Sequence, residues 1–161
     1  MKRVLVYRHA KTEKTGANMA DFVRELTDEG ERQAKSMGRI LARQGLTPQL
    51  VLTSDAVRAV QTAELSREEA GFEVEVRERE ELYGADAADY LAVLREQDDA
   101  YTTLMIVGHN PAIEDLLGML VRQEITMKTG WVAVLDFNVS AWEELGDGAP
   151  VTIDRILHPE S

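Results

Sequence analysis

Short apolar runs of strand length recur along this chain, and each gives way to an amphipathic stretch; Val4-Leu5-Val6, Leu50-Val51-Leu52 and Leu104-Met105-Ile106-Val107 are the clearest. That alternation points to the α/β class. Strands are expected at 3–8, 49–53, 73–77, 103–107, 131–138 and 151–157, with helices between them. Thr27 is placed to cap a helix running to Arg43, with Asp28 and Glu29 in the favourable first turn and Met37, Ile40 and Leu41 at helical spacing. Ser54 or Asp55 caps a second helix through Ala70, and Asp86 starts a third that reaches Arg95. Asn110 and Pro111 read as N-cap and first residue of a fourth, through Leu120. Gly146-Asp147-Gly148 marks a turn before a last run that alternates like an edge strand. With no repeat, linker or low-complexity tract, residues 1–161 read as a single domain: a mostly parallel central sheet flanked by helices.

Composition narrows the partners. A chain of 161 residues with 44% hydrophobic and 29% charged residues is that of a globular domain with an ordinary core. No apolar stretch reaches membrane-spanning length and no signal pattern opens the chain, so no membrane partner is expected. Cysteine is absent, which excludes disulfides, thiolate metal sites and a cysteine nucleophile, and fits a reducing, cytoplasmic setting. A net charge of −11 argues against nucleic acid. The charge is uneven. Lys2, Arg3, Arg8, Lys11 and Lys14 face only Glu13 in the opening segment, whereas Glu64 to Asp99 is crowded with acids. A basic mouth on an acidic body focuses an anion locally.

The strand exits carry the chemistry. The first run delivers Arg8-His9-Ala10, and the run ending at Val107 delivers Gly108-His109-Asn110-Pro111. The chain has three histidines, and two of them leave strands in this way. Ligands of open α/β sheets bind beyond the carboxyl ends of the strands. The run Leu50–Ser54 leads to Arg58, so two histidines and two arginines gather at one rim. Imidazole is neutral near pH 7 and can accept a phosphoryl group on one nitrogen while the other is hydrogen-bonded. Arginine offers a planar fork matched to phosphate oxygens. Gly108 permits a close approach, and the helix after Asn110 turns free N–H groups toward anions. A zinc site built from His9, His109 and His158 is disfavoured: no pair sits at ligand spacing on one helix, and two arginines repel a cation.

Arg8-His9-Ala10 resembles the Arg-His-Gly signature of the histidine phosphatase (phosphoglycerate mutase-like) superfamily. Ser54-x-x-x-Arg58-Ala59-x-Gln61-Thr62 and Val107-Gly108-His109-Asn110 resemble its later motifs. The Asp21-Phe22-x-Arg24-x-Leu26-Thr27 stretch, followed by Gly30, is similar to the SixA-type phosphohistidine phosphatases. The resemblance implies a phosphoglycerate mutase-like α/β fold, a nucleophilic His9, and a phosphate pocket of Arg8, Arg58 and His109, with no metal or cofactor. By analogy it also implies Glu81 as general acid, Arg24 and Lys11 as added positive charge, and Asn18 as a phosphate contact. Ala10 replaces the signature glycine, a change that suits the SixA type. Leu82 to Thr102 has room for little beyond one helix, so the large helical insertion of small-molecule relatives is absent and an open pocket is expected. The implied substrate is a phosphohistidine on a signalling or phosphotransfer protein, such as a histidine phosphotransfer domain. The rivals are a small-molecule phosphomonoesterase of the same fold and a catalytically silent phosphohistidine-binding module.

Overall fold

The computed structural model describes residues 1–14, 20–146 and 148–160. Among these, six strands form one sheet: β1 (Lys2–Arg8), β2 (Leu50–Ser54), β3 (Glu75–Arg79), β4 (Thr103–Gly108), β5 (Val132–Phe137) and β6 (Val151–Leu157), in the order β3-β2-β4-β1-β5-β6. The first four are mutually parallel, β5 runs antiparallel to β1, and β6 antiparallel to β5. The sheet is thus mostly parallel, as its sequence pattern predicts, and β6 lies at an edge. Four α-helices flank it: α1 (Asp28–Arg43), α2 (Val57–Ala70), α3 (Ala87–Arg95) and α4 (Ala112–Val121). None of the described helices is long and apolar enough to cross a membrane.

Alternation along the strands explains the layering, because successive side chains point to opposite faces. Val4, Val6, Leu50, Leu52, Leu104 and Ile106 pack with Tyr90, Leu94, Ile113 and Leu117 from α3 and α4. Their neighbours Leu5, Tyr7, Val51, Met105 and Val107 pack with Met37, Leu41, Ala59 and Ala63 from α1 and α2. The register sets Arg8 beside Gly108, and Thr53 beside Val107, so β1, β4 and β2 end level with one another. Between β3 and β4 the chain makes only a 3-10 turn, Glu80–Leu82, and α3, leaving that end of the sheet uncovered by an insertion.

Local signals agree with the elements at some ends and shift at others. The Thr27 side chain accepts the Gly30 N–H and caps α1, and Asp86 with Asp89 forms a reciprocal capping box on α3. At α2 the cap position is Ala56, with no side-chain bond. Ser54 and Asp55 are therefore not its caps; the Ser54 hydroxyl takes the Ala56 N–H at 3.2 Å from outside the helix. At α4 the cap position is Pro111, after a cis Asn110–Pro111 peptide, so the helix starts later than Asn110 suggests. The Asn110 amide donates instead to the Met127 carbonyl at 2.9 Å. β3 pairs two residues later than expected: Phe72 and Val74 pack on the α1 and α2 side of the core without entering the ladder, whereas Val76 does both, pairing with Val51. The expected turn at Gly146–Gly148 has Gly148 at φ 91°, while Asp147 lies outside the described residues.

Candidate active site

Three parallel strands deliver the site. His9 follows β1 directly and is 7% exposed; its Nδ1 lies 2.8 Å from the Ala10 carbonyl. A carbonyl only accepts, so Nδ1 carries the proton and donates it, leaving Nε2 with a free lone pair. Burial, opposed by the Ala10 bond and reinforced by the charges of Arg58, Arg8 and Arg24, lowers the His9 pKa to about 4. The ring is neutral at pH 7. Ala10 is fully buried, gives its N–H to Thr62 Oγ1 at 3.0 Å and has no positive φ, so alanine in place of the signature glycine introduces no backbone strain.

His109 follows β4, with its ring centroid 5.2 Å from that of His9. Burial and the proximity of His9 and Arg58 lower its pKa to about 3. Its Nε2 lies 2.7 Å from Ser54 Oγ. Gly108 is required by contact: a Cβ there would lie 2.1 Å from the Tyr90 hydroxyl. That hydroxyl accepts the His109 N–H at 3.0 Å and donates to the Leu82 carbonyl at 3.0 Å.

The arginines are held by backbone carbonyls and, for Arg58, by the Asp21 carboxylate as well. Arg8 Nη1 donates to the Met127 carbonyl at 2.9 Å, and burial lowers the Arg8 pKa. Arg58, 5% exposed, donates Nη1 to the Asp21 carbonyl at 2.8 Å and Nη2 to Asp21 Oδ2 at 3.0 Å. Three buried nitrogens of this group have no hydrogen-bond partner among the described residues: Arg8 Nε, Arg58 Nε and His109 Nδ1. Unpaired buried polar groups are rare in folded chains, and the two guanidinium N–H donors among them suit an anion. Beside them opens a cleft of about 350 Å³ whose lining includes Asp21, Arg58, Tyr83, His109 and Asn110.

The structure gathers Arg8, His9, Arg58 and His109, together with Arg24. Arg24 bonds Thr12 Oγ1 at 2.7 Å and pairs with Asp21, and its charge reaches both histidines. Lys11 is not gathered, because its Nζ is 2.6 Å from Glu29 in the first turn of α1. Glu81 is also not brought in. Its exposed carboxylate is captured by Arg79 at 2.5 Å, and that bond lowers its pKa, so it is ionised and poorly suited to give a proton. It does not line the cleft, whose wall runs from Leu82 to Ala85. Asn18 lies outside the described residues. His158 stacks on Trp131 at 4.0 Å, and among the described residues no three His, Asp or Glu side chains are grouped to hold a metal ion.

Sequence reasoning gave no role to Asp21 and Tyr83. Burial would raise the Asp21 pKa, but hydrogen bonds from Tyr83, Arg24 and Arg58 outweigh it and hold the carboxyl at about 2. The Tyr83 hydroxyl donates to Asp21 Oδ2 at 2.8 Å, and its ring meets His109 edge-on at 5.8 Å. Asp21 stands in the SixA-like stretch of the sequence, but nothing local to it announces a tyrosine 62 residues downstream.

The sequence profile of the histidine phosphatase superfamily (branch 1) matches residues 4–103. An uncharacterised chloroplastic protein of Arabidopsis thaliana is 30% identical over 152 residues, covering 89% of this chain and 70% of that protein. An uncharacterised protein of Mycobacterium leprae is 35% identical over 151 residues, covering 86% of this chain and 91% of its own. Among solved structures, a candidate phosphohistidine phosphatase SixA from Agrobacterium tumefaciens superimposes with a TM-score of 0.85 at 25% identity, covering 98% of both chains. One from Nakamurella multipartitia does so at 0.85 and 28% identity, covering 99% of this chain and 97% of that one. On its sequence, its sheet and its paired histidines, the chain belongs to the histidine phosphatase superfamily, branch 1, and is built like SixA.

Proposed function

We propose that the protein is a phosphohistidine phosphatase that releases phosphate from a histidine of a partner protein through a phosphorylated His9. The observation that carries this reading is the His9 tautomer: Nδ1–H is tied to the Ala10 carbonyl, which leaves the Nε2 lone pair free in a site where the buried Nε–H groups of Arg8 and Arg58 have no partner among the described residues. In the first step the Nε2 lone pair forms a bond to phosphorus while the substrate P–N bond breaks. A substrate ring protonated on its other nitrogen then leaves as neutral imidazole. Phospho-His9, protonated on Nδ1, is the intermediate. Water next attacks phosphorus, the P–N bond electrons return to Nε2, and phosphate leaves with both water hydrogens. The arginines and His109 stabilise charge on the phosphoryl oxygens, which is most of what phosphoryl transfer asks of a protein.

The carboxylate in the cleft lining supports the P–N substrate over a phosphoester. Asp21, the only carboxyl group among the described lining residues, is held at about 2 and has no proton to give at neutral pH. An alkoxide leaving group needs protonation, whereas imidazole leaves as a neutral base with conjugate-acid pKa of about 6.5. The open approach left by the missing insertion suits a side chain presented by a protein, and the SixA names of the structural neighbours agree. The test is a panel of proteins phosphorylated on histidine, a histidine phosphotransfer domain among them, alongside phosphorylated sugars. Phosphate release and an acid-labile label on the enzyme are expected with the former. Faster turnover of the sugars would transfer the assignment to small phosphoesters, and binding without release would make the protein a silent phosphohistidine reader. The reading needs no metal, so EDTA should leave the rate unchanged; loss that zinc restores would overturn that part.

A further inference from the structure

We propose that Ser54 is a positioning residue that holds His109 in the tautomer with its proton on Nδ1, turning a neutral N–H donor toward the transferring phosphoryl group. The inference deepens the phosphatase reading and rests on it for the identity of the anion. Ser54 is fully buried at the end of β2, and its hydroxyl meets His109 Nε2 at 2.7 Å. The same oxygen already accepts the Ala56 N–H at 3.2 Å. A hydroxyl has one proton and two lone pairs, so these contacts can be counted.

If the His109 proton sat on Nε2, it would be donated to the second lone pair of Ser54. The Ser54 hydrogen would then have no acceptor among the described residues, and Nδ1 would turn a lone pair toward the anion that Arg8 and Arg58 bind. If the proton sits on Nδ1, Ser54 donates to Nε2 and every polar atom of Ser54 is satisfied. Only Nδ1–H is left over, buried, on a ring that feels the charge of Arg58. Buried polar groups in folded proteins are paired, so the second arrangement is the one the structure favours. Burial and the nearby charges keep the ring neutral, so one nitrogen alone carries a proton. The backbone of His109 is fixed independently through the Tyr90 hydroxyl, which leaves ring orientation and tautomer to Ser54.

The test reads the tautomer directly. In ¹⁵N-labelled wild-type protein, the imidazole spectrum of His109 should show the proton on Nδ1, and Ser54→Ala should move population to Nε2–H. With p-nitrophenyl phosphate, Ser54→Ala should lower kcat about tenfold, less than the loss of a donor outright, with KM little changed. Ser54→Thr, which keeps the hydroxyl, should restore both tautomer and rate. A wild-type His109 protonated on Nε2 overturns the proposal, and that spectrum decides the matter even if Ser54→Ala does not fold. A Ser54→Ala variant with wild-type tautomer and rate overturns it as well. Failure of the wild-type enzyme to hydrolyse any phosphorylated compound would sink the phosphatase reading while leaving the tautomer readable in the free protein.

Discussion

At the scale of single residues, the candidate site is a set of groups whose protonation burial and hydrogen bonding set in the free protein. His9→Ala should abolish turnover and the acid-labile label together, because a methyl group cannot accept phosphorus; circular dichroism would confirm that the variant is folded. A labelled, active His9→Ala would end the covalent mechanism. Arg58→Ala should lower kcat/KM by about 10²–10³, the scale for losing one transition-state donor. Arg58→Lys should recover only part, since an ammonium cannot serve Asp21 and the phosphoryl group with one planar fork. An unimpaired Arg58→Ala would mean that the guanidinium only ties the Asp21 turn in place. Glu81→Gln, by contrast, should change neither phosphohistidine nor phosphoester hydrolysis by more than about twofold, because its carboxylate is engaged with Arg79 outside the cleft. A selective loss on the phosphoester would restore Glu81 as proton donor.

At the scale of elements, chemistry is assembled where β1, β4 and β2 end level, and the joint between β4 and α4 is the tightest part of it. Gly108→Ala would press a methyl group to within 2.1 Å of the Tyr90 hydroxyl, which is the acceptor for the His109 N–H. The variant should lose about 1–3 kcal/mol of stability in urea unfolding and lose rate as well, since the neighbour that must move is the one that sets His109. Tyr90→Phe in the same chain should relieve only part, because ring carbons also stand within 2.7 Å. An unchanged unfolding midpoint would show that the helix yields freely. This level of organisation was legible in the sequence where a residue and its element are adjacent. Arg8, His9 and His109 follow apolar runs directly, and Arg58 sits in the first turn of the helix after β2. It was illegible where partners are set by tertiary approach. Asp21 finds Arg58 and Tyr83 across 37 and 62 residues. The same limit explains Ser54, whose position before a helix reads as a cap until β4 brings His109 against its hydroxyl. Glu81 fails for a local reason: Arg79, two residues away, holds its carboxylate outside the cleft.

At the scale of the whole molecule, the groups that make the site should also set how folding stability depends on pH. His9 and His109 titrate at about 4 and about 3 in the folded protein, against an ordinary 6.5 in the unfolded chain. Between these values the unfolded chain binds more protons, so stability rises with pH and is lost as pH falls below about 6.5. Asp21, at about 2 against 3.8, acts in the same sense one step lower: its contribution is complete above 3.8 and is lost as pH falls toward 2. Tyr90 works at the other end. Burial raises its phenol to about 12 from an ordinary 10.0, so above pH 10 the unfolded chain ionises first and stability falls again. Urea midpoints should therefore be flat from about pH 7 to 9 and decline on both sides. His9→Gln/His109→Gln, which keeps polar side chains without a titrating ring, should flatten the decline between pH 6.5 and 4 while leaving the lower, carboxylate-driven part. A double variant that keeps the full slope in that window would show that the two rings are not desolvated together in the folded protein. The neutral nucleophile inferred from their burial would then lose its physical basis.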